Sequence, residues 1–244
     1  MTPDEAVILV GGKGTRLREV VSDRPKPMAD VAGRPFVEWL VLALQLQGVR
    51  RVILSTGYQG EAFERHFASG QMRGVEVVCV CEPEPLGTGG GARHALGQAH
   101  STRLLVLNGD SYCPVDILQL QAVHERRSAR ATMWLAAVGD CRRFGRVVPG
   151  PADSVTGFHE KSDRPGPGLV NAGVYLFERS VLEAIPPGVA VSLEADVLPA
   201  LAAKGLCGVV GSGPLIDIGI PESYWQAQAS FAALAQALEV PPAL

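Results

Sequence analysis

The sequence lacks the features of a membrane-spanning protein and of a protein that binds nucleic acid through bulk charge. The apolar run at residues 6–10 is far shorter than the roughly 20 residues needed to cross a bilayer. The formal net charge of the 244 residues is −3, so any basic groups that matter must act locally. Residues 1–5 are acidic, whereas a signal peptide begins with basic residues. We therefore expect a cytoplasmic protein without nucleic-acid or membrane partners.

Cysteine and histidine are also scarce, and neither occurs in a metal-binding spacing. The five cysteines form no C-x-x-C pair, and the five histidines form no H-E-x-x-H motif. Cys79 and Cys81 alternate within a predicted strand, so that both point to the same face. We expect buried, reduced thiols and no zinc site.

The order of predicted strands and helices indicates an α/β fold. Apolar strands that stop at polar turns are predicted at residues 6–10, 51–55, 75–81 and 103–107, and helices at 36–46, 61–67, 91–99 and 117–128. This alternation predicts a parallel sheet covered by helices on both faces. Further strands are predicted at 131–138, 146–148, 155–159 and 174–177, a long loop at 165–168, and helices at 193–203 and 222–235. Because 47% of the residues are hydrophobic, we expect one domain with a substantial core.

A glycine-rich segment follows the first predicted strand. It reads Gly11-Gly12-Lys13-Gly14-Thr15-Arg16-Leu17. Glycines let the backbone turn tightly and direct its N–H groups at phosphate. One arginine can also donate two parallel hydrogen bonds to phosphate oxygens. Lys13 is followed by glycine, which excludes a Walker A motif, and Leu17 does not fit the dinucleotide fingerprint. A phosphate-binding loop is predicted, with an ordinary glycine-rich turn as the alternative.

Three charged residues stand out beyond that loop. Pro25 and Pro27 restrict the backbone around Lys26, which places the lysine on a stiff stem. Asp110 follows a predicted strand and therefore lies at the same edge of the sheet as the glycine loop. Taken alone, Asp110 would more often form a turn. Asp217 lies within an apolar segment, where a carboxylate is costly unless it is paired or bound to metal.

Taken together, the motifs resemble those of the sugar-1-phosphate nucleotidyltransferases. The matching segments occur in the family's order and are the glycine loop, Pro25-Lys26-Pro27-Met28, Leu86-Gly87-Thr88-Gly89-Gly90, Asn108-Gly109-Asp110, Phe144-Gly145, Glu160-Lys161, Asn171-Ala172-Gly173-Val174-Tyr175 and Asp217-Ile218-Gly219. The resemblance covers residues 6 to about 235. Residues 23–36, with Ser192-Leu193-Glu194 and Asp196, are most similar to the branch that acts on D-glycero-α-D-manno-heptose 1-phosphate with GTP.

The resemblance implies a single GT-A-like nucleotidyltransferase domain with a Rossmann-like three-layer sandwich and a central, mainly parallel, mixed sheet. Residues 1–138 would form the nucleotide-binding part, residues 139–235 the sugar-binding flap and the return of the chain, and residues 240–244 a frayed tail. The partners would be a nucleoside triphosphate and a sugar 1-phosphate, and the cofactor Mg²⁺. The oligomeric state is not determined by the sequence, and a homo-oligomer stays open.

The resemblance also implies a role for each matching residue. The triphosphate would contact Gly11, Gly12, Gly14, Thr15 and Arg16, with Lys26 by the α-phosphate. The base and ribose would border Gly87, Thr88 and Gly89. Mg²⁺ would be held by Asp110 and Asp217. The sugar hydroxyls would meet Gly145, Glu160 and Asn171, and the sugar phosphate Lys161. The candidates for pairing guanine are Glu82 and the backbone of residues 86–89, and those for the seventh carbon of a heptose are Glu194 and Asp196.

Alternatives of different class and specificity stay open at this stage. The same scaffold serves UTP or dTTP and mannose or glucose 1-phosphate elsewhere in the family. A sensor that binds nucleotide-sugars would need the same contacts without turnover. Gly87-x-Gly89-x-x-Ala92 suggests a dinucleotide-dependent oxidoreductase, but residues 82–86 separate these glycines from the strand. Glycine at 89 and 91, where the family often has alanine, is expected to loosen the base pocket.

Overall fold

The computed structural model describes residues 3–12, 14–17, 20–159, 165–202 and 204–237. Strands and helices alternate along the first half of the chain. The elements of this half are β1 (Glu5–Leu9), β2 (Asp30–Val31), β3 (Arg34–Pro35), α1 (Phe36–Leu46), β4 (Arg51–Thr56), α2 (Gly60–His66), β5 (Gln71–Met72), β6 (Val75–Cys81), α3 (Gly87–Ala95), β7 (Arg103–Asn108), β8 (Ser111–Tyr112) and α4 (Ile117–Arg126). Short 3-10 turns lie at Thr15–Leu17 and Lys26–Met28.

The second half is richer in strands. Its elements are β9 (Ala131–Val138), β10 (Arg146–Pro149), β11 (Val155–His159), β12 (Gly168–Glu178), α5 (Arg179–Glu183), a π-helical turn (Leu193–Val197), α6 (Leu198–Leu201), β13 (Leu206–Val210), β14 (Ile216–Asp217) and α7 (Pro221–Ala237).

The main sheet is mixed, with parallel strands at its centre. Within the described ranges its order is β11-β10-β12-β7-β1-β4-β6-β5, and β9 lies between β12 and β13. The pairs β7–β1, β1–β4 and β4–β6 are parallel, whereas β12 runs antiparallel to both β7 and β9. The carboxyl ends of β1, β4, β6 and β7 therefore meet at one edge of the sheet.

Helices cover both faces of this sheet, which makes three layers. Ala6 and Ile8 of β1 belong to the core on one face and Val7 to the core on the other, as the alternation of a strand requires. The first core is completed by Leu40 of α1, Leu120 of α4 and Phe231 of α7, and the second by Ala92 of α3, Leu182 of α5 and Leu201 of α6. The three-layer α/β fold predicted from the sequence is confirmed.

Three boundaries differ from the prediction, each for a local reason. α3 begins at Gly87 rather than at residue 91, because its glycines pack against the backbone of Val191 and so form helix despite their low propensity. β12 begins at Gly168 rather than at residue 174, so that Asn171 lies in the strand. The helix predicted at 193–203 is a π-helical turn followed by the short α6, in which Pro199 occupies the first turn.

The prediction of buried thiols is confirmed at three of the five positions. Cys113, Cys141 and Cys207 are buried, whereas Cys79 is partly buried and Cys81 at the end of β6 is exposed. Burial raises the pKa of Cys113 to about 11, so this thiol stays protonated at neutral pH. No helix in the described part of the chain is both long and apolar enough to cross a membrane.

Candidate functional site

A cleft lies at the carboxyl ends of the central strands. Its cavity has a volume of about 770 Å³. Among the residues predicted from the sequence, those that line it are Gly11, Gly12, Gly14, Arg16, Lys26, Glu82, Gly87, Thr88 and Asp110. The topology explains this convergence, because β1 and β7 are neighbours and each is followed directly by one of the predicted motifs.

The glycine loop is packed directly onto Lys26. Gly14 has a φ of +56°, which favours glycine, and a Cβ at this position would lie 2.7 Å from the Cβ of Lys26. Leu17 is buried and fixes the end of the loop, whereas Arg16 is exposed and lines the cleft. The side chain of Thr15 lies outside the described part. The loop thus brings backbone N–H groups and one arginine to the cleft.

Lys26 is a buried cation held between two carboxylates. Pro25, with φ −59° and ψ 145°, leads into the 3-10 turn, and the lysine is 8% exposed. Its Nζ donates to Asp110 Oδ2 at 2.7 Å and lies 3.6 Å from Asp217 Oδ1. Because burying an unpaired ammonium is very costly, this pairing is what makes the position tolerable.

Backbone pairing brings Asp110 and Asp217 together across a long stretch of sequence. β14 runs antiparallel to β8 with Asp217 opposite Ser111, and the N–H of Ile218 donates to the carbonyl of Asp110 at 3.1 Å. The N–H of Gly219 also donates to Asp217 Oδ1 at 2.7 Å. The convergence expected of the two carboxylates is observed. That they bind a metal stays a prediction.

The sugar-side residues are only partly described. The N–H of Asn171 donates to the carbonyl of Gly145 at 3.0 Å, so these two predicted residues are in contact. The amide Nδ2 of Asn171 donates to the hydroxyl of Tyr175 at 2.6 Å, across an irregularity in the β12–β9 pairing. Gly145, Asn171, Gly89 and Asp217 do not line the cleft directly. Glu160 and Lys161 lie outside the described residues.

Glu194 connects a residue predicted to border the nucleotide with residues predicted to lie on the sugar side. Its Oε2 accepts from the hydroxyls of Thr88 at 2.6 Å and Ser192 at 3.2 Å. Its Oε1 accepts from the amide of Asn108 and the hydroxyl of Tyr175, each at 3.3 Å. Burial raises the pKa of Tyr175 well above its usual range, with a further contribution from the Glu194 charge. Tyr175 therefore stays a hydrogen-bond donor.

Glu82 fixes the segment that precedes α3. Its two carboxylate oxygens accept from the hydroxyl of Ser55 and from the N–H of Leu86, each at 3.0 Å. A Cβ on Gly91 would lie 2.6 Å from Glu82 Oε1, so glycine is needed there for close approach. Gly89 and Gly91 are buried, and this part of the pocket is tightly packed where the sequence predicted looseness.

Arg143 is a site residue that the sequence did not single out. Its Nη2 lies 2.7 Å from Asp217 Oδ2. It directly precedes the Phe144-Gly145 motif. From the sequence alone, however, Arg142 and Arg143 look like two loop arginines, and nothing indicates which of them contacts the site. Tyr175 was part of a matched motif and had no assigned role. Its buried hydroxyl accepts from Asn171 and donates to Glu194, so it links these two side chains.

Comparison with known proteins identifies the family. Residues 5–233 match the family described as nucleotidyl transferase. The chain is 42% identical over 223 residues to mannose-1-phosphate guanylyltransferase of Mycobacterium tuberculosis, covering 90% of this chain and 62% of that protein. It is 37% identical over 226 residues to D-glycero-alpha-D-manno-heptose 1-phosphate guanylyltransferase of Aneurinibacillus thermoaerophilus, covering 92% and 96% of the two chains.

Solved structures agree with this match. HddC from Yersinia pseudotuberculosis is 33% identical with a TM-score of 0.84, covering 94% of this chain and all of the other. A second structure of HddC, complexed with GMP-PN, has a TM-score of 0.82 at 34% identity and the same coverage. The chain therefore belongs to the nucleotidyl transferase family, the class that the sequence motifs predicted. A dinucleotide-dependent oxidoreductase is excluded by this membership.

The Glu194 network predicts a specific loss of stability. Glu194→Gln replaces one acceptor oxygen by an NH₂ group that faces existing donors, so we expect a loss of about 1–3 kcal/mol in the free energy of unfolding. Glu183→Gln is the matched control, since Glu183 is half-exposed and pairs only with Arg179 in a surface contact, which contributes about 0–1 kcal/mol. Urea unfolding of both variants measures the difference. Equal stabilities would contradict the role given to Glu194.

Proposed function

We propose that this chain transfers GMP from GTP to a sugar 1-phosphate, in first place D-glycero-α-D-manno-heptose 1-phosphate, and releases pyrophosphate. The observation that carries the proposal is the buried Lys26, held beside the glycine loop between Asp110 and Asp217. This arrangement provides a cation, two carboxylates and backbone donors at one edge of the sheet. It is an arrangement for bringing two anions together.

The chemistry requires little covalent participation by the protein. An oxygen of the sugar phosphate attacks the α-phosphorus of the nucleotide, the bond to the β-phosphate oxygen breaks, and pyrophosphate leaves. No general base is needed, because a phosphate monoester is already ionised. Arg16 and Lys26 stabilise the negative charge that spreads over the phosphates, and the cleft positions the two substrates.

The carboxylates fit a magnesium ion. Both meet the same ammonium group, so they already share one cation site, and carboxylate oxygens are ligands that Mg²⁺ prefers. No group of three or more His, Cys, Asp or Glu residues suited to a metal occurs in the described ranges, so phosphate and water oxygens would supply the other ligands. When bound, the ion offsets phosphate charge. Asp110 and Asp217 would hold it, and Lys26 would then be available to the α-phosphate.

The choice of GTP is supported by relatives and by one side chain. The two relatives above are named as guanylyltransferases, and one HddC structure is a complex with GMP-PN. Guanine presents two donors, at N1 and N2, that need acceptors when buried. Glu82 lines the cleft, and each of its oxygens, which accepts one hydrogen bond from the protein, can accept another.

Two sugars compete for the second substrate. The heptose is favoured because the chain matches 96% of the Aneurinibacillus enzyme, whereas it spans 62% of the mycobacterial mannose-1-phosphate enzyme. Mannose 1-phosphate is the second candidate, because identity to the mycobacterial enzyme is higher, at 42%. Glu194 already accepts four hydrogen bonds, so Asp196, which is exposed and accepts one from the N–H of Ser192, is the better candidate for the seventh carbon of the heptose.

The paired carboxylates yield the first test of this mechanism. Asp110→Asn and Asp217→Asn should each lower kcat by more than about a hundredfold at saturating Mg²⁺, since removing even an outer partner of a metal ligand costs about 10- to 100-fold. Asp153→Asn is the control, because Asp153 pairs with Arg126 and Arg127 outside the cleft. Circular dichroism checks the fold, and pyrophosphate release gives the rate. A near wild-type rate for either variant would sink the assignment.

The two substrates should depend on different basic residues. Arg16→Ala should raise the KM for GTP about 10- to 100-fold, because a charge-assisted hydrogen bond to phosphate is lost. Lys161→Ala should do the same to the KM for the sugar phosphate, a role that rests on the sequence resemblance. Each variant is measured against both substrates. Identical changes in both KM values would refute the division.

Specificity is tested by a matrix of four nucleoside triphosphates against several sugar 1-phosphates. GTP with D-glycero-α-D-manno-heptose 1-phosphate should give the highest kcat/KM by pyrophosphate release, with mannose 1-phosphate next. A faster reaction of UTP or dTTP with glucose 1-phosphate would overturn the specificity and leave nucleotidyl transfer intact. If no combination released pyrophosphate while nucleotide-sugar still bound, the chain would be a sensor.

A further inference from the structure

Asp217 contacts two cationic side chains through different oxygens. Lys26 Nζ lies 3.6 Å from Oδ1, and Arg143 Nη2 lies 2.7 Å from Oδ2. Lys26 is buried and also pairs with Asp110. Moving its ammonium away from the carboxylates would leave a buried charge without a partner. Arg143 is 39% exposed and reaches Asp217 from the solvent side. If the guanidinium left Asp217, the arginine charge would be solvated and not buried without a partner.

Only the side chain of Arg143 has to move for this pair to break. The N–H of Cys141 donates to the carbonyl of Gly166 at 3.1 Å, and the N–H of Phe144 donates to the carbonyl of Cys141 at 3.0 Å. Cys141 is buried, and Gly145 is bonded to Asn171. The backbone that carries Arg143 is therefore held by hydrogen bonds on both sides, while its guanidinium contacts Asp217 and lies 5.9 Å from the centre of the Phe144 ring.

The charges of the site explain what the contact with Asp217 does. Two cations, Lys26 and Arg143, balance two carboxylates, Asp110 and Asp217, without any metal. A divalent cation on the same carboxylates would compete with the guanidinium for Asp217 Oδ2, because the two positive groups repel one another. Arg143 is two residues before Gly145, whose carbonyl accepts from the N–H of Asn171. A guanidinium released from Asp217 near these predicted sugar-side residues could bind the sugar phosphate, since arginine donates two parallel hydrogen bonds to phosphate oxygens.

We propose that Arg143 is a substrate-binding residue that occupies Asp217 until the divalent cation binds, and then binds the phosphate of the sugar 1-phosphate. This inference rests on the proposed function and deepens it. It makes the two binding events interdependent: the cation is opposed by Arg143, and the second substrate is favoured once the cation has displaced it.

The test measures two affinities in variants of the full chain. Mn²⁺ is titrated by electron paramagnetic resonance in the presence of an α,β-methylene analogue of GTP. Binding of mannose 1-phosphate and of the heptose 1-phosphate to that complex is measured by calorimetry. The variants are Arg143→Gln, Arg143→Lys and the control Arg142→Gln. Arg142 is the neighbouring arginine, is 58% exposed and pairs with Asp140.

Opposite shifts in the two affinities are the expected signature. Arg143→Gln should bind Mn²⁺ about two- to fivefold more tightly, because a half-exposed competing ion pair is lost. It should bind the sugar phosphate about tenfold or more weakly, because a charged contact is lost. Arg143→Lys should fall between, and Arg142→Gln should match the wild type. A merely structural role for Arg143 would weaken both affinities.

Two results would overturn the inference in distinguishable ways. In the first, the wild type binds Mn²⁺ with the GTP analogue, but Arg143→Gln binds it no more tightly. Arg143 then does not compete with the cation, so the inference is wrong while the proposed function stands. A wild type that binds no Mn²⁺ in the presence of the analogue contradicts the proposed function itself, and the inference falls with it.

Discussion

The buried ammonium of Lys26 is the constraint on which the cleft depends. A lysine that is 8% exposed must be paired, and its two partners come from distant parts of the chain. Asp110 is delivered by the end of β7, and Asp217 by the pairing of β14 with β8. Glycine is required at position 14, since a Cβ there would lie 2.7 Å from the Cβ of Lys26. One buried charge thus fixes the glycine loop, two strand ends and the carboxylate pair relative to one another.

The same electrostatic balance ties the fold to the proposed chemistry. Two carboxylates close together repel unless cations lie between or beside them, and Lys26 and Arg143 fill both positions. In the proposed reaction, phosphate groups and a divalent cation would rearrange this balance of charge. The buried lysine would keep its place, because moving it away would leave an unpaired charge in the interior. Arg143 is 39% exposed, so its guanidinium could change partner without leaving an unpaired buried charge on the arginine.

The sequence sufficed for features that depend on local pattern and on the geometry of parallel sheets. Gly11 and Asp110 follow the ends of β1 and β7, and parallel strands bring such ends to one edge, so their convergence was predictable. The contact of Arg143 with Asp217 was not, because the two residues are 74 positions apart and meet through loop geometry. The early start of α3 was missed for a related reason: its glycines form helix only because tertiary packing against Val191 rewards close approach.

The Glu194 network has a consequence for specificity that neither half of the cleft has alone. Thr88, predicted to border the nucleotide, and Tyr175, which accepts from the predicted sugar ligand Asn171, both donate to this one carboxylate. Moving Glu194 to suit a different sugar would therefore release Thr88, and a substitution that repositions Thr88 would disturb Tyr175. Because hydrogen bonds that share one partly buried carboxylate are not independent, base and sugar selection should be coupled energetically through this residue. Changes of sugar specificity are then better sought at Asp196, which is exposed and makes no direct hydrogen bond to Glu194 among the described residues, although both accept from Ser192.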